Sequence, residues 1–347
     1  MIPTTTAALP FVQTLAHGIH VIDTGFHRPV FDAAYLIVES GRAAFVDTGT
    51  NDSVPRLLAA LQAAGLRPEA VDFVIATHVH LDHAGGVGLL MQQLPAARLV
   101  VHPQGAPHLI QPSRLMASAR AVYGSEEMAR SYGNVVGVPA EHVLRTEDGM
   151  TLELAGRPLQ FIDTPGHARH HHCIWDACSR GFFTGDTFGL SYREFDTPQG
   201  EWLMPTTTPV QFEPEALRHS VQRMLAYEPE RMYLTHYGPV TGVARLAAML
   251  LAQLDEMVAL ALALADTQAP PGADRRHPAP PGEDRRCAAP PGAGRRLQRH
   301  PPEEPARARQ RAAGGAHART AVARHRAERT RRRCVAEPQE PLTGTAR

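Results

Sequence analysis

Short apolar runs that stop at polar clusters recur along this chain, and their spacing predicts strands in both halves. Phe11 to Asp23 alternates apolar and polar residues before Thr24-Gly25, which suggests an antiparallel strand and turn. Ala33 to Val38 and Ala43 to Val46 read as two further strands, with Glu39-Ser40-Gly41-Arg42 as the turn between them. Asn51 or Ser53 can cap a helix in which Leu57, Leu58, Leu61 and Ala64 recur at helical spacing, and Gly65 stops it. Val71 to Ala76 is a β-rich apolar run that a parallel sheet can bury; Val87 to Leu94 then predicts a helix, and Arg98 to Val101 a strand.

From Gly105 to Pro139 polar and apolar residues interleave as in short helices, an expected helical insertion able to cap a pocket with Tyr123 and Tyr132. Beyond it, Leu152 to Leu154, Pro158 to Ile162, Cys173 to Asp176, Gly181 to Thr184 and Arg231 to Thr235 are strand-like. Glu213 to Tyr227 and Gly242 to Leu264 predict helices. The loop-like stretch from Phe188 to Phe212, with Tyr192 and Trp202, is placed to line a pocket wall.

Composition divides the 347 residues unevenly. Residues 269–347 hold 18 arginines against 8 acidic residues, and residues 1–268 hold 17 against 27, so the overall balance of zero conceals an acidic body and a basic tail. The tail opens on three ten-residue repeats built on Ala-Pro-Pro-Gly and Arg-Arg, a composition with too few apolar residues for a core, and is expected to be disordered. The domain expectation is therefore a catalytic body over 1–268, including the 105–139 insertion, and a low-complexity tail over 269–347. The acidic body argues against a nucleic-acid substrate.

Cys173, Cys178, Cys287 and Cys334 make neither a disulfide-rich scaffold nor a four-cysteine metal motif, and the N-terminal Met1-Ile2-Pro3-Thr4 lacks a secretory pattern. Arg245, Asp255 and Glu256 interrupt the apolar segment Val243 to Ala265, which reads as a core-facing helix rather than a membrane span. A cytoplasmic protein acting on a small molecule, without a membrane, is the expectation; association into a homo-oligomer stays open.

The chemistry gathers where strands end. Val71–Ala76 runs into Thr77-His78-Val79-His80-Leu81-Asp82-His83, three imidazoles and a carboxylate aimed from one compact loop. Such nitrogen and oxygen donors suit zinc, iron or manganese. Later strand ends offer Thr164-Pro165-Gly166-His167, Gly185-Asp186 and His236, and Asp47 closes an earlier strand where it can orient a ligating histidine.

This ordered set resembles the metallo-beta-lactamase superfamily, specifically its glyoxalase-II-like hydrolases, over about residues 15 to 265. The resemblance implies an α+β fold, an αββα sandwich with two mixed sheets and flanking helices. It assigns His78, His80 and His167 to one metal and Asp82, His83 and His236 to a second, with Asp186 bridging. Zinc is the expected pair of divalent ions, with iron or manganese as alternatives. The implied activity is hydrolysis of a small ester, thioester or lactone by a metal-bound hydroxide, Asp82 orienting the nucleophile. His171 is the second catalytic candidate, supporting the site or donating to substrate, and His170 and His172 are expected around the pocket. The alternative is a non-haem iron, oxygen-dependent enzyme such as a persulfide dioxygenase or a diiron redox protein. A non-enzymatic metal sensor is a third class.

Overall fold

Successive side chains of the strands point to opposite faces, and in this chain both faces are apolar in the central strands. On β3, Ala33–Glu39, Ala34 and Leu36 join one buried cluster while Ala33, Tyr35 and Ile37 join another. Such a sheet must be covered on both sides. The computed structural model, which describes residues 9–207 and 211–268, meets that requirement with two sheets packed face to face and helices outside each.

The first sheet has the strand order β1 to β7: β1 Val12–Thr14, β2 Ile19–Asp23, β3, β4 Arg42–Val46, β5 Val71–Ala76, β6 Arg98–Val101 and β7 Val143–Arg145. It is antiparallel up to β4 and parallel from β4 to β7. The second runs β13-β12-β11-β10-β9-β8, with β8 Thr151–Leu154, β9 Arg157–Asp163, β10 His172–Asp176, β11 Gly181–Gly185, β12 Arg231–Leu234 and β13 Gly238–Val240. Only β11 and β12 pair in parallel there. Both sheets are mixed, so the architecture is the expected αββα sandwich.

Outside the first sheet lie α1, Val54–Ala63, the short α2, Leu81–Ala84, α3, Val87–Met91, and α4, Ala106–Ile110. Leu57 and Leu61 of α1, Leu90 of α3 and Leu109 of α4 bury against Phe45, Val74 and Leu99. Between the sheets, Tyr35, Ile37 and Ile75 meet Phe161, Ile174, Phe183 and Tyr233. The second sheet is covered by α7, Pro214–Leu225, and α8, Val243–Gln268, through Val221, Met224, Leu246 and Leu250. Residues 106–132 are largely helical: α4 is followed by α5, Ser113–Tyr123, and α6, Ser125–Glu127, and then by a wider turn over Met128–Tyr132.

Several boundaries differ from expectation. The stretch from Phe11 to Asp23 is a hairpin, because His17 and Gly18 take positive φ (61° and 63°) and turn the chain back between β1 and β2. The segment Val243–Ala265 is long and apolar enough to cross a membrane by length and composition, yet Val243, Leu246, Ala247, Leu250 and Leu254 are buried in the protein core. The core-facing reading therefore holds for that first half, whereas Leu260 and Leu262 are exposed. From Leu260 the helix belongs to a second unit, of which the described residues include only this helix end. The expected disordered tail, 269–347, lies outside the described residues.

Candidate metal centre

The parallel strands set up the site. β4, β5, β11 and β12 end at one edge of the sandwich; the residues after β5, β11 and β12 include candidate ligands, and Asp47 after β4 supports them. His78 and His80 leave β5, and Asp82 and His83 follow in the first turn of α2. His167 comes from the loop joining β9 to β10, Asp186 follows β11 and His236 follows β12.

Two glycines permit this convergence. Gly185 has φ +47°, and a Cβ there would lie 2.6 Å from both His171 Nε2 and Thr77 Oγ1. Gly166 has φ +134°, and its Cβ would stand 2.3 Å from the Leu217 backbone, so α7 docks directly beneath the His167 loop.

The seven donors form two sets, His78, His80, His167 and Asp186 in one and Asp82, His83 and His236 in the other, with the ligand atoms of each set within 4.8 Å of one another. In the first, His80 Nδ1 lies 2.8 Å from His78 Nε2 and 3.1 Å from His167 Nε2. In the second, Asp82 Oδ2 lies 3.8 Å from His83 Nε2 and 3.5 Å from His236 Nε2. Asp186 faces both: its Oδ2 is 3.2 Å from His167 Nε2, while its Oδ1 is 3.3 Å from His83 Nε2 and 3.5 Å from His236 Nε2. A carboxylate with one oxygen toward each set has the geometry of a bridge.

The donors also pass a chemical test for cations. Asp186 Oδ1 and His83 Nε2 are buried without a hydrogen-bond partner among the described residues, although they face each other. Buried polar atoms of this kind are costly unless something satisfies them. Two divalent ions held by imidazole and carboxylate would do so, and the residues present fit such a pair.

Charge is distributed unequally. Burial, reinforced by neighbouring histidines, holds His78 well below the ordinary imidazole range and brings His80 to about 3, and burial also lowers His167. These rings are neutral and available as ligands. For His83 and His236 burial acts in the same direction, but the carboxylates override it: Asp186, Asp82 and Asp47 raise His83 well above its usual value, and Asp186, Asp82 and Asp32 raise His236 to about 9. Burial works to raise Asp82 and Asp186, and the adjacent histidines overcome it, leaving both below the ordinary carboxylate range.

Supporting groups orient the ligands. Asp47, buried at the end of β4, accepts from His83 Nδ1 at 2.9 Å, Thr235 Oγ1 at 3.0 Å, Thr77 Oγ1 at 2.9 Å and Thr77 N–H at 2.8 Å. It thereby ties three strand ends to one carboxylate, which is the orienting role rather than a simple turn. Asp32 was not foreseen. It is fully buried, with Oδ1 3.9 Å from His236 Nδ1, and the Phe31 carbonyl lies 3.3 Å from the same nitrogen. Burial pushes Asp32 up to about 7 against the pull of His236 and His83. The signal for it was a lone acidic residue directly before the apolar run 33–38.

His171 stands directly behind the backbone of Asp186. It is fully buried, its Nε2 accepts from the Asp186 N–H at 3.2 Å, and its Nδ1 lies 3.0 and 3.1 Å from the Thr164 and Thr187 hydroxyls. Both nitrogens are engaged by neighbouring groups, and the bond to the Asp186 N–H lets the ring support the position of Asp186. The His171 ring centroid is 4.8 Å from that of His78, and that of His170 is 5.6 Å from His80 and 6.2 Å from His108. His172 turns away toward Thr146 Oγ1 at 2.9 Å and a cavity of about 300 Å³ lined with His102, Phe161 and Asp163.

Comparison with known proteins identifies the family to which this fold belongs. The family model of the metallo-beta-lactamase superfamily matches residues 27–236. A metallo-beta-lactamase fold-containing protein of Sulfurisphaera tokodaii is 25% identical over 229 residues, covering 65% of this chain and 80% of that protein. A hydroxyacylglutathione hydrolase of Xanthomonas axonopodis pv. citri is 33% identical over 162 residues, 46% of this chain and 48% of its own length. A type A flavoprotein of Rhodobacter capsulatus is 29% identical over 160 residues, 46% of this chain and 32% of its own length, so the chain spans under half of these last two. Among solved structures, an archaeal superfamily protein from Sulfolobus tokodaii superposes with a TM-score of 0.57 at 24% identity, over 70% of this chain and 87% of that one. A family protein from Thermus thermophilus gives 0.55 at 24% identity, over 73% and 84%. With more than half of the sequence matched and the sandwich agreeing, the chain belongs to the metallo-beta-lactamase superfamily.

Proposed function

We propose that this protein is a dinuclear metal-dependent hydrolase acting on a small ester, thioester or lactone, with zinc as the native pair. The observation that carries the proposal is Asp186, one oxygen toward each ligand set. The hydroxyacylglutathione hydrolase match supports a carboxylic-acid derivative as substrate. A small molecule fits the fold.

The chemistry supplied by two bound divalent ions is a water acidic enough to attack at neutral pH and a positive field for the oxygen that becomes negative. The chain does the rest. Asp82, whose side chain is 25% exposed, presents the carboxylate edge that faces solvent and orients the attacking water. Asp47 holds His83 through Nδ1, the Phe31 carbonyl and Asp32 stand behind His236, and His171 fixes the Asp186 backbone. These fixed dipoles keep the donors from reorganising as charge develops.

The test joins metal analysis to turnover on protein purified without added metal. Two zinc ions per chain and oxygen-independent cleavage of esters, thioesters or lactones are expected. Iron-dependent oxygen consumption with a sulfur substrate would replace this reading with the oxygen-dependent one, and metal binding without turnover of any substrate would leave a sensor.

A further inference from the structure

Three of the four apolar clusters belong to the sandwich: one on each outer face and one between the sheets. The fourth does not. Met116, Ala119, Met128 and Tyr132 of the helical segment bury against Phe26 and against Leu81, the residue directly before the ligand Asp82. Phe31 packs against the same cluster. The helical segment thus rests its apolar face on the rim of the second ligand set.

Aromatic rings continue from that cluster to the ligands. Phe31 stacks on Tyr192 with centroids 5.0 Å apart and planes 13° from parallel, and the two rings lie 6.0 and 6.5 Å from that of His236. On the other side Phe26 is 5.6 Å from Tyr132, which is 5.7 Å from Tyr123. Tyr123 is 54% exposed. The first ligand set has different company: His170 and His108 line its flank. The second set thus borders aromatic rings whose covering gains free energy.

We propose that the strip formed by Phe31, Tyr123 and Tyr192, backed by the buried Tyr132, binds an aromatic group in the acyl portion of the substrate, so that the enzyme favours aryl-bearing acids over acetyl-sized ones. This selectivity rests on the hydrolytic reading of the centre, but the strip itself does not. Flat rings with hydroxyl edges suit an aryl ring, which can stack on their faces while its carbonyl reaches the ligands.

Two measurements on the full-length zinc-loaded protein separate the claims. The first compares kcat/KM for acetyl and 3-phenylpropanoyl thioesters of one thiol; at least about a tenfold preference for the aryl substrate is expected. In Tyr123→Ala, at a half-exposed position that leaves the core intact, and in Phe31→Leu, the preference should fall below about threefold. The second compares binding of 3-phenylpropanoate and acetate to the same proteins, with the aryl acid about tenfold tighter in the parent and not in the variants. Equal turnover and equal binding of the pair, or a preference that survives both substitutions, would overturn the proposal while leaving the hydrolase standing. Selective binding of the aryl acid without turnover of either thioester would keep the strip and remove the reaction.

Discussion

The two ligand sets share Asp186 and differ in nearly everything else. The first adds three imidazoles that burial holds neutral, with His78 and His167 almost wholly enclosed and further histidines behind them. The second adds a carboxylate and two imidazoles whose proton affinity the surrounding carboxylates raise, and its Asp82 is partly open to solvent beside the aromatic strip. Each set keeps one partly exposed member, His80 in the first and Asp82 in the second, so the contrast lies in charge rather than in enclosure. Three neutral imidazoles on one side and a carboxylate with two carboxylate-supported imidazoles on the other present different charge to a cation, which changes how firmly each is held.

The harshest way to break that comparison is to remove what the sets share. Asp186→Ala should lose both ions and reduce kcat/KM by about a thousandfold or more, read by metal analysis and turnover on the same sample. Retention of two metals with a near-normal rate would end the bridging assignment. Next come substitutions confined to one side. His80→Ala and His236→Ala should each leave a single ion and cost at least about a hundredfold in rate, more than removal of an outer partner usually does. If the sets are as different as their surroundings indicate, the ion left in His236→Ala resists a weak chelator longer than the one left in His80→Ala. Equal exchange rates would erase the contrast.

How much of this was legible in the sequence follows from how local each signal is. His78, His80, Asp82 and His83 crowd one strand end, so their common destination could be read directly. Gly185-Asp186 and Gly166-His167 announced themselves because a glycine must precede a side chain forced into so tight a turn. The bridging place of Asp186 came from the resemblance alone, since spacing says nothing about the angle between two sheets that turns one oxygen toward each set. Asp32 escaped for a related reason: it reaches His236 only because β3 and β12 meet across the sandwich, where the Ala33 N–H donates to the Thr235 carbonyl at 2.8 Å. The short β7 and β13, three residues each, carry too few positions for a period to emerge. The helical character of 113–123 was visible in its spacing, but the surface its buried face covers was not, because Phe26, Phe31 and Leu81 come from elsewhere in the chain.

Asp47 offers a gentler probe of the second set. It accepts four hydrogen bonds, one of them from the ring of His83. Asp47→Asn replaces an acceptor oxygen with a donor and should weaken metal affinity about 10- to 100-fold at the second set, leaving the first occupied. Competition against a chelator of known affinity measures it. Loss of both ions to the same extent would mean that Asp47 organises the whole edge through Thr77 rather than one ligand.

The smallest effect is expected at Asp32, and its size relative to Asp47 is the informative quantity. Asp47 touches its histidine at 2.9 Å, whereas Asp32 stands 3.9 Å from His236 Nδ1, a distance at which charge acts without a hydrogen bond. The Phe31 carbonyl, at 3.3 Å, would keep that nitrogen oriented when the charge is gone. Asp32→Asn keeps the shape and an acceptor for the Thr24 hydroxyl, now 2.9 Å from Oδ2. It should therefore weaken the second ion by only about three- to tenfold, below the range for removing a bonded outer partner. An effect equal to that of Asp47→Asn would show that long-range charge, rather than a directed hydrogen bond, governs how firmly the second set holds its cation.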